Sequence, residues 1–254
     1  MTQLQSQLRE FKMAGMVNSL EERITYANEN KLSYREFLEL LCEDEQSNRK
    51  SNSYKKRYAK AKFMSDKRLE DFDFNFQPSI DKRIINDAAT CHYIKEKKNI
   101  VFIGNPGTGK SHLAISLGMK ALAKDYKVIF TTVAEMLHQL YISKADNSYH
   151  KKIADYLKAD LLILDELGFR KLPQYSADDF FEIISKRYEQ GSLIITTNKN
   201  YEQWSEIFGD QILSSAILDR IVHHSITFKI NGPSYRAKTT KSSERNDDQE
   251  VKMI

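Results

Sequence analysis

Cysteine is scarce in these 254 residues, and the two present, Cys42 and Cys91, stand far apart without a C-x-x-C spacing or a histidine partner. That pattern offers neither a disulfide framework nor a cysteine-based metal site. Both thiols are expected to be buried in a protein of a reducing compartment. No uncharged apolar run approaches ~18 residues, so no membrane-spanning helix is expected. The polar amino terminus lacks the apolar segment of a secretory signal, and the chain is therefore expected in the cytoplasm, with no membrane partner. Internal repeats, low-complexity tracts and the signatures of helix-turn-helix or zinc-finger readers are also missing, which argues against reading of a particular base sequence. Net charge is small too, at +4, so where the charge lies says more than its sum.

The most informative stretch present is Gly104-Asn105-Pro106-Gly107-Thr108-Gly109-Lys110-Ser111. It fits G-x-x-x-x-G-K-[ST] at every fixed position, between the apolar run Asn99 to Ile103 and a helical pattern beginning at His112. A strand before and a helix after are the context a phosphate-binding loop requires. Glycines let the backbone approach a triphosphate and wrap it with N–H groups, and the helix start adds the positive end of its dipole. Gly104 through His112 are thus the expected nucleotide contacts. Lys110 would reach the β- and γ-phosphates, and the Ser111 hydroxyl would ligate Mg²⁺. ATP and Mg²⁺ are the expected cofactors.

Charge divides the chain in front of this loop. Residues 1–48 hold five basic and nine acidic residues, residues 49–70 nine basic and two acidic. The acidic part reads as helical: Leu4, Leu8, Phe11 and then Met16, Leu20, Ile24 recur at steps of three and four, with Gly15 as the expected break. Ser33-Tyr34-Arg35-Glu36 forms a capping box that opens a further helix. Basic residues Arg49, Lys50, Lys55, Lys56, Arg57, Lys60 and Lys62 then follow without an acidic one, interleaved with Tyr54 and Tyr58. Such a segment can neutralise phosphates, or it can simply be a solvated helix or linker. Alternating Phe72, Phe74 and Phe76 suggest an extended segment laid on a domain surface.

After a helical stretch from about residue 80 to 95 come five strand-like runs: Asn99 to Ile103, Val128 to Thr132, Leu161 to Leu164, Leu193 to Thr197 and Ile226 to Ile230. Near-continuous apolar runs alternating with helical patterns imply a five-stranded parallel sheet between helices. The expected α/β domain spans residues 66–236, preceded by a small all-helical domain over 1–65 and followed by a disordered tail over 237–254.

Ligands of such sheets bind at the carboxyl ends of the strands, and the remaining motifs fall there. Leu161-Leu162-Ile163-Leu164-Asp165-Glu166 is a buried strand ending in two carboxylates. Asp165 would hold the Mg²⁺ shell, and Glu166 would orient and polarise the attacking water. Asn198, at the end of the next run, could bond the γ-phosphate or that water, or merely cap a turn. Arg220 could reach a neighbouring subunit's γ-phosphate and Arg236 could sense the nucleotide of its own subunit, although either could be a paired surface arginine. His223 and His224, adjacent in what reads as an extended segment, are expected to face opposite sides and so not to share a metal. Trp204 is expected to anchor packing. Lys144, Lys151 and Lys152, near His150, form a second candidate surface for DNA phosphates.

With these residues in place, the chain resembles the IstB family of insertion-sequence helper ATPases, members of the AAA+ class related to DnaC-type helicase loaders. The likeness runs from about Ser33 to Arg236. Beyond the loop it rests on Ser33-Tyr34-Arg35-Glu36-Phe37-Leu38, Leu69-Glu70-Asp71-Phe72-Asp73-Phe74, Leu164-Asp165-Glu166-Leu167-Gly168, Arg187-Tyr188-Glu189, Trp204 with Phe208-Gly209-Asp210, Asp219 through Ser225, and Gly232-Pro233-Ser234-Tyr235-Arg236. Asn105 and Ile221 depart mildly from the pattern without touching nucleotide binding. The resemblance implies an AAA+ P-loop ATPase that assembles as an ATP-bound homo-oligomer on duplex DNA, deforms it and presents it to a partner transposase. It also implies that Arg220 acts between subunits. A DnaC-like loader of a replicative helicase is the alternative expectation. A metabolic P-loop kinase fits less well, because Asp165-Glu166 and a trans-type Arg220 suit hydrolysis by water.

Overall fold

Thr2 and Gln5 exchange side chain to backbone hydrogen bonds of 3.1 and 3.3 Å, the reciprocal box that opens α1 (Gln3–Glu10). The chain turns through Lys12, at φ +58°, into α2 (Ala14–Asn30). The break therefore falls at residues 11–13 and not at Gly15, which lies inside the first turn of α2. The next helix, α3 (Tyr34–Ala61), begins at the predicted box, where the Ser33 amide donates to Glu36 at 2.7 Å and the Glu36 amide donates back to Ser33 Oγ at 3.3 Å. Gly15 is needed because α3 passes close by: a Cβ there would stand 2.6 Å from Glu45 Cα. The basic stretch thus occupies the second half of one continuous helix.

The computed structural model describes residues 2–235 and 237. It divides between Arg57 and Tyr58 into two units, ahead of the boundary expected after residue 65. The reason is that Tyr58 stacks edge-on against Phe63, which already packs on Phe130 of the sheet. In the first unit Leu20 and Leu41 are buried, and Arg23 grips Asp44 through two bonds of 2.8 Å. Those bonds pull the Asp44 carboxyl down to about 2. Burial would raise Glu45, but Arg49 and the amides of Gly15 and Met16 outweigh it and hold that carboxyl below its ordinary range.

In the second unit a 3-10 turn at Leu69–Asp71 leads to α4 (Lys82–Ala89) and α5 (His92–Lys95). One helix was expected there, and Cys91 splits it by taking φ +62°. Phe72, Phe74 and Phe76 do alternate as half-buried positions, but along a turn and not along a strand. Then follow β1 (Asn99–Gly104), α6 (Lys110–Ala123), β2 (Val128–Thr132), α7 (Val133–Ala145), α8 (Tyr149–Leu157), β3 (Leu161–Leu167), α9 (Gln174–Arg187), β4 (Ser192–Thr197), α10 (Trp204–Phe208), α11 (Gln211–Val222) and β5 (Ser225–Ile230). All five strands pair in parallel, in the order β2-β3-β4-β1-β5. With β1, β3 and β4 inside the sheet and helices on its faces, their runs are apolar without alternation. β3 continues past its expected end at Leu164, with a register shift against β4 between Leu164 and Leu167.

Trp204 is fully buried against Tyr201 and Phe208, the packing role expected of it. Cys91 is buried as expected; Cys42 is exposed, because it lies on a solvent-facing position of α3. Among the described residues no helix is long and apolar enough to cross a membrane. Arg236 and the expected tail, Ala237 apart, lie outside the described residues.

Candidate nucleotide site

The loop joining β1 to α6 turns on two glycines in the left-handed region, Gly107 at φ +80° and Gly109 at φ +96°. Side chains there would be strained, and they would also collide with neighbours, Ser234 at Gly107 and Phe72 at Gly109. Thr108 is buried and its hydroxyl donates to the Asn105 carbonyl at 2.9 Å, closing the loop on itself. Lys110 folds back over it, its ammonium donating to the carbonyls of Gly104 at 2.7 Å and Asn105 at 2.8 Å. The Tyr235 amide donates to the Gly107 carbonyl at 2.9 Å, so residues far along the chain return to cover the loop. His112 Nε2–H donates to the Arg68 carbonyl at 2.8 Å, and the ring lies edge-on to Phe72. It therefore ties the preceding segment to α6.

Beside the loop, Ser111 Oγ donates to Asp165 Oδ1 at 2.9 Å. Asp165 is only 3% exposed, and the Thr196 hydroxyl of β4 donates to the same oxygen. Thr196 Oγ1 in turn accepts the Glu166 amide at 3.0 Å. Glu166 is exposed, at φ +62°, within the register shift of β3. One threonine hydroxyl thus bridges the buried carboxylate and the backbone of the exposed one. Asn198 is exposed directly beyond β4, whose Thr197 pairs with Ile103 of β1, so Asn198 emerges level with the start of the loop.

The other expected site residues divide into two groups. Arg220, in the last turn of α11, donates to the Ala216 carbonyl at 2.9 Å and lies over the Phe181 ring at 5.0 Å. No described hydrogen bond ties it to the loop of its own chain. Lys50, Lys55, Lys56, Lys60 and Lys151 are exposed, Lys152 is half-buried, and Arg57 donates to Ser53 Oγ at 2.6 Å. Two of the expected DNA contacts, both exposed, also pair with a buried carboxylate. Lys144 donates to both oxygens of the buried Asp179 at 2.8 Å, and Arg49 donates to the buried Glu45 at 2.6 Å. Each pairing places an exposed cation over a buried carboxylate, which composition could not reveal. Arg49 and Lys56 nevertheless line a cavity of about 300 Å³ in the first unit, with Lys12, Asn48 and Asn52.

Sequence reasoning missed Thr196, whose only signal was a hydroxyl two positions before Asn198. It also missed Arg187, 1% exposed, which donates to the carbonyls of Tyr156 at 2.8 Å, Ala159 at 2.9 Å and Ser192 at 2.8 Å. His223 and His224 do not face opposite sides as expected. They sit in the turn after α11 and not in an extended segment, and their rings approach to 4.0 Å between centroids.

The family of IstB-like ATP binding proteins matches residues 6–243 of the chain. The ATP-binding protein of insertion sequence IS5376 from Geobacillus stearothermophilus is 41% identical over 86% of this chain and 87% of its own length. That of IS21 from Pseudomonas aeruginosa is 36% identical over 96% and 92%. Among solved structures, the DnaC helicase loader superposes with a TM-score of 0.50 at 22% identity, covering 59% of this chain and 87% of that one. DnaI gives 0.54 at 22% identity, covering 66% and 89%. These structures establish the AAA+ P-loop fold. The chain belongs to the IstB-like family of insertion-sequence ATP-binding proteins.

Proposed function

From this membership and the geometry of the loop, we propose that the chain hydrolyses ATP and uses it to time an assembly on DNA during transposition. The observation that carries the proposal is the bond between Ser111 and the buried Asp165, with exposed Glu166 beside them. Two hard oxygen donors 2.9 Å apart fit a magnesium ion, which would neutralise phosphate charge when bound there. Lys110 exchanges its loop carbonyls for the β- and γ-phosphates, and the loop amides wrap the triphosphate. Glu166, free of Asp165's metal-holding role, orients the attacking water and takes its proton. Asn198 bonds the γ-phosphate or that water. Arg236 is proposed as a sensor of the same nucleotide.

Arg220, on the surface of α11, completes the site of a neighbouring copy, so that two chains share each nucleotide. Assembly then follows ATP binding. The exposed lysines 50, 55, 56, 60 and 151 grip the phosphates of duplex DNA without reading bases, and the bent DNA recruits or activates a transposase.

Particle size measured with ATP, with and without duplex DNA, tests the assembly, which is expected to grow only with both. Mixing Arg220→Ala with Lys110→Ala chains tests the shared site. Each is inactive by itself, and mixtures should regain activity from sites with one intact half of each kind. No complementation at any ratio would overturn the trans role. Recovery of a replicative helicase and no transposase from pull-downs would overturn the partner.

A further inference from the structure

Parallel strands put the nucleotide loop at one end of the sheet and the turns preceding β4 and β5 at the other. Those two turns bring together three exposed side chains, Glu189, His223 and His224, whose ligand atoms all lie within 4.8 Å of one another. His224 Nε2 is 3.6 Å from Glu189 Oε1, close to the ~3.3 Å that separates donor atoms in a tetrahedral zinc shell. The backbone beneath is fixed at each position. The His224 carbonyl accepts the Asn99 amide at 2.7 Å, and the His223 amide donates to the Asp219 carbonyl at 3.1 Å. Glu189 is held at φ +57°, a conformation uncommon for a residue with a side chain.

A second observation points the same way. Tyr188 Oη lies 2.8 Å from His223 Nδ1, an outer partner of the sort that orients metal-bound imidazoles. In the tautomer where Nδ1–H donates to Tyr188, Nε2 carries the lone pair that is free to ligate an ion. We propose that Glu189, His223 and His224 bind a divalent transition ion of the zinc class, oriented by Tyr188. Two imidazoles and one carboxylate suit zinc and its neighbours and do not suit magnesium or calcium, which take oxygen. The ion would fasten the carboxyl-terminal end of α11, one turn beyond Arg220, to the turn entering β4.

The test is titration of the full-length chain, stripped of metal, free of any histidine tag and without nucleotide. Zn²⁺ binding is followed by calorimetry and Co²⁺ binding by visible absorption. One ion per chain is expected. His223→Ala and His224→Ala should each weaken binding about a hundredfold, and Tyr188→Phe about tenfold. Because all four residues are near the surface, each variant should keep the parent's thermal midpoint. Unchanged affinity in the His223→Ala, His224→Ala double variant would overturn the site. So would absence of binding at millimolar metal, or loss of binding in Cys42→Ser, which would place the ion on the exposed thiol.

Discussion

Each end of the sheet buries an ionisable side chain, and the two are held by different kinds of partner. At the amino ends of the strands Arg187 donates to three main-chain carbonyls that belong to the end of α8, the approach to β3 and the start of β4. Burial pulls its guanidinium down to about 10, against the opposing charge of Asp160. Those carbonyls cannot turn away without moving the backbone. At the carboxyl ends Asp165 receives two side-chain hydroxyls, Ser111 and Thr196. Hydroxyls rotate, so Ser111 can leave Asp165 for a metal ion at little cost. Buried charge held by main chain fastens a fold, whereas buried charge held by hydroxyls can change partners.

Substitutions at the two ends should therefore separate stability from turnover. The largest effect is expected for Arg187→Ala, which strands three buried carbonyls and should lower unfolding free energy by about 4 kcal/mol in urea titrations. Unaltered stability would remove the main-chain half of the contrast. Glu166→Gln should keep ATP affinity within about twofold and slow hydrolysis about a hundredfold, read by single-turnover assay, since water activation and binding use different groups. Thr196→Val should slow turnover about tenfold with little change in KM, because Glu166 loses the hydroxyl that fixes its amide, and Thr196→Ser should restore it. Normal turnover in Thr196→Val with a loss in Thr196→Ser would mean that the methyl, and not the hydroxyl, matters.

The smallest effect tests an ion pair of the first unit. Asp44 is depressed in the folded chain, so its contribution is present above the ordinary carboxyl value of 3.8 and is lost as pH falls through about 2. After allowance for solvent screening, Asp44→Asn should cost about 1 kcal/mol near neutrality. The difference from the parent, measured by thermal unfolding across pH, should shrink over that acid window.

What could be read in advance follows from how tightly chemistry dictates residue identity. Gly107, Gly109, Lys110, Ser111 and Asp165 occupy fixed spacings because phosphate and metal leave few alternatives, and the strands were legible because both their faces are covered. Partnerships across the fold were not. Lys144 stands in a candidate DNA surface with no sign of Asp179 arriving from α9, and Arg187 stands in a family motif with no sign of the carbonyls that surround it. His223 and His224 lie in a helix-terminal turn and not in extended chain, where neighbouring side chains point apart, and their sequence carries no mark of that turn. Gly15 has the residue type of a helix breaker, but its small size serves the passage of α3.

The pairing of β1 has a consequence for how the protein is made. Its two neighbours are β4 and β5, in registers that join Ile100 to Ile194 and to Ile226. During synthesis the strand that carries the nucleotide loop leaves the ribosome long before either partner exists. It must wait with both edges open, covered at most on one face by α6. Early collapse of β2 and β3 cannot shelter it, since neither touches it in the finished sheet. The nascent chain should therefore depend on holding chaperones up to the emergence of β4, and release stalled before that point should aggregate.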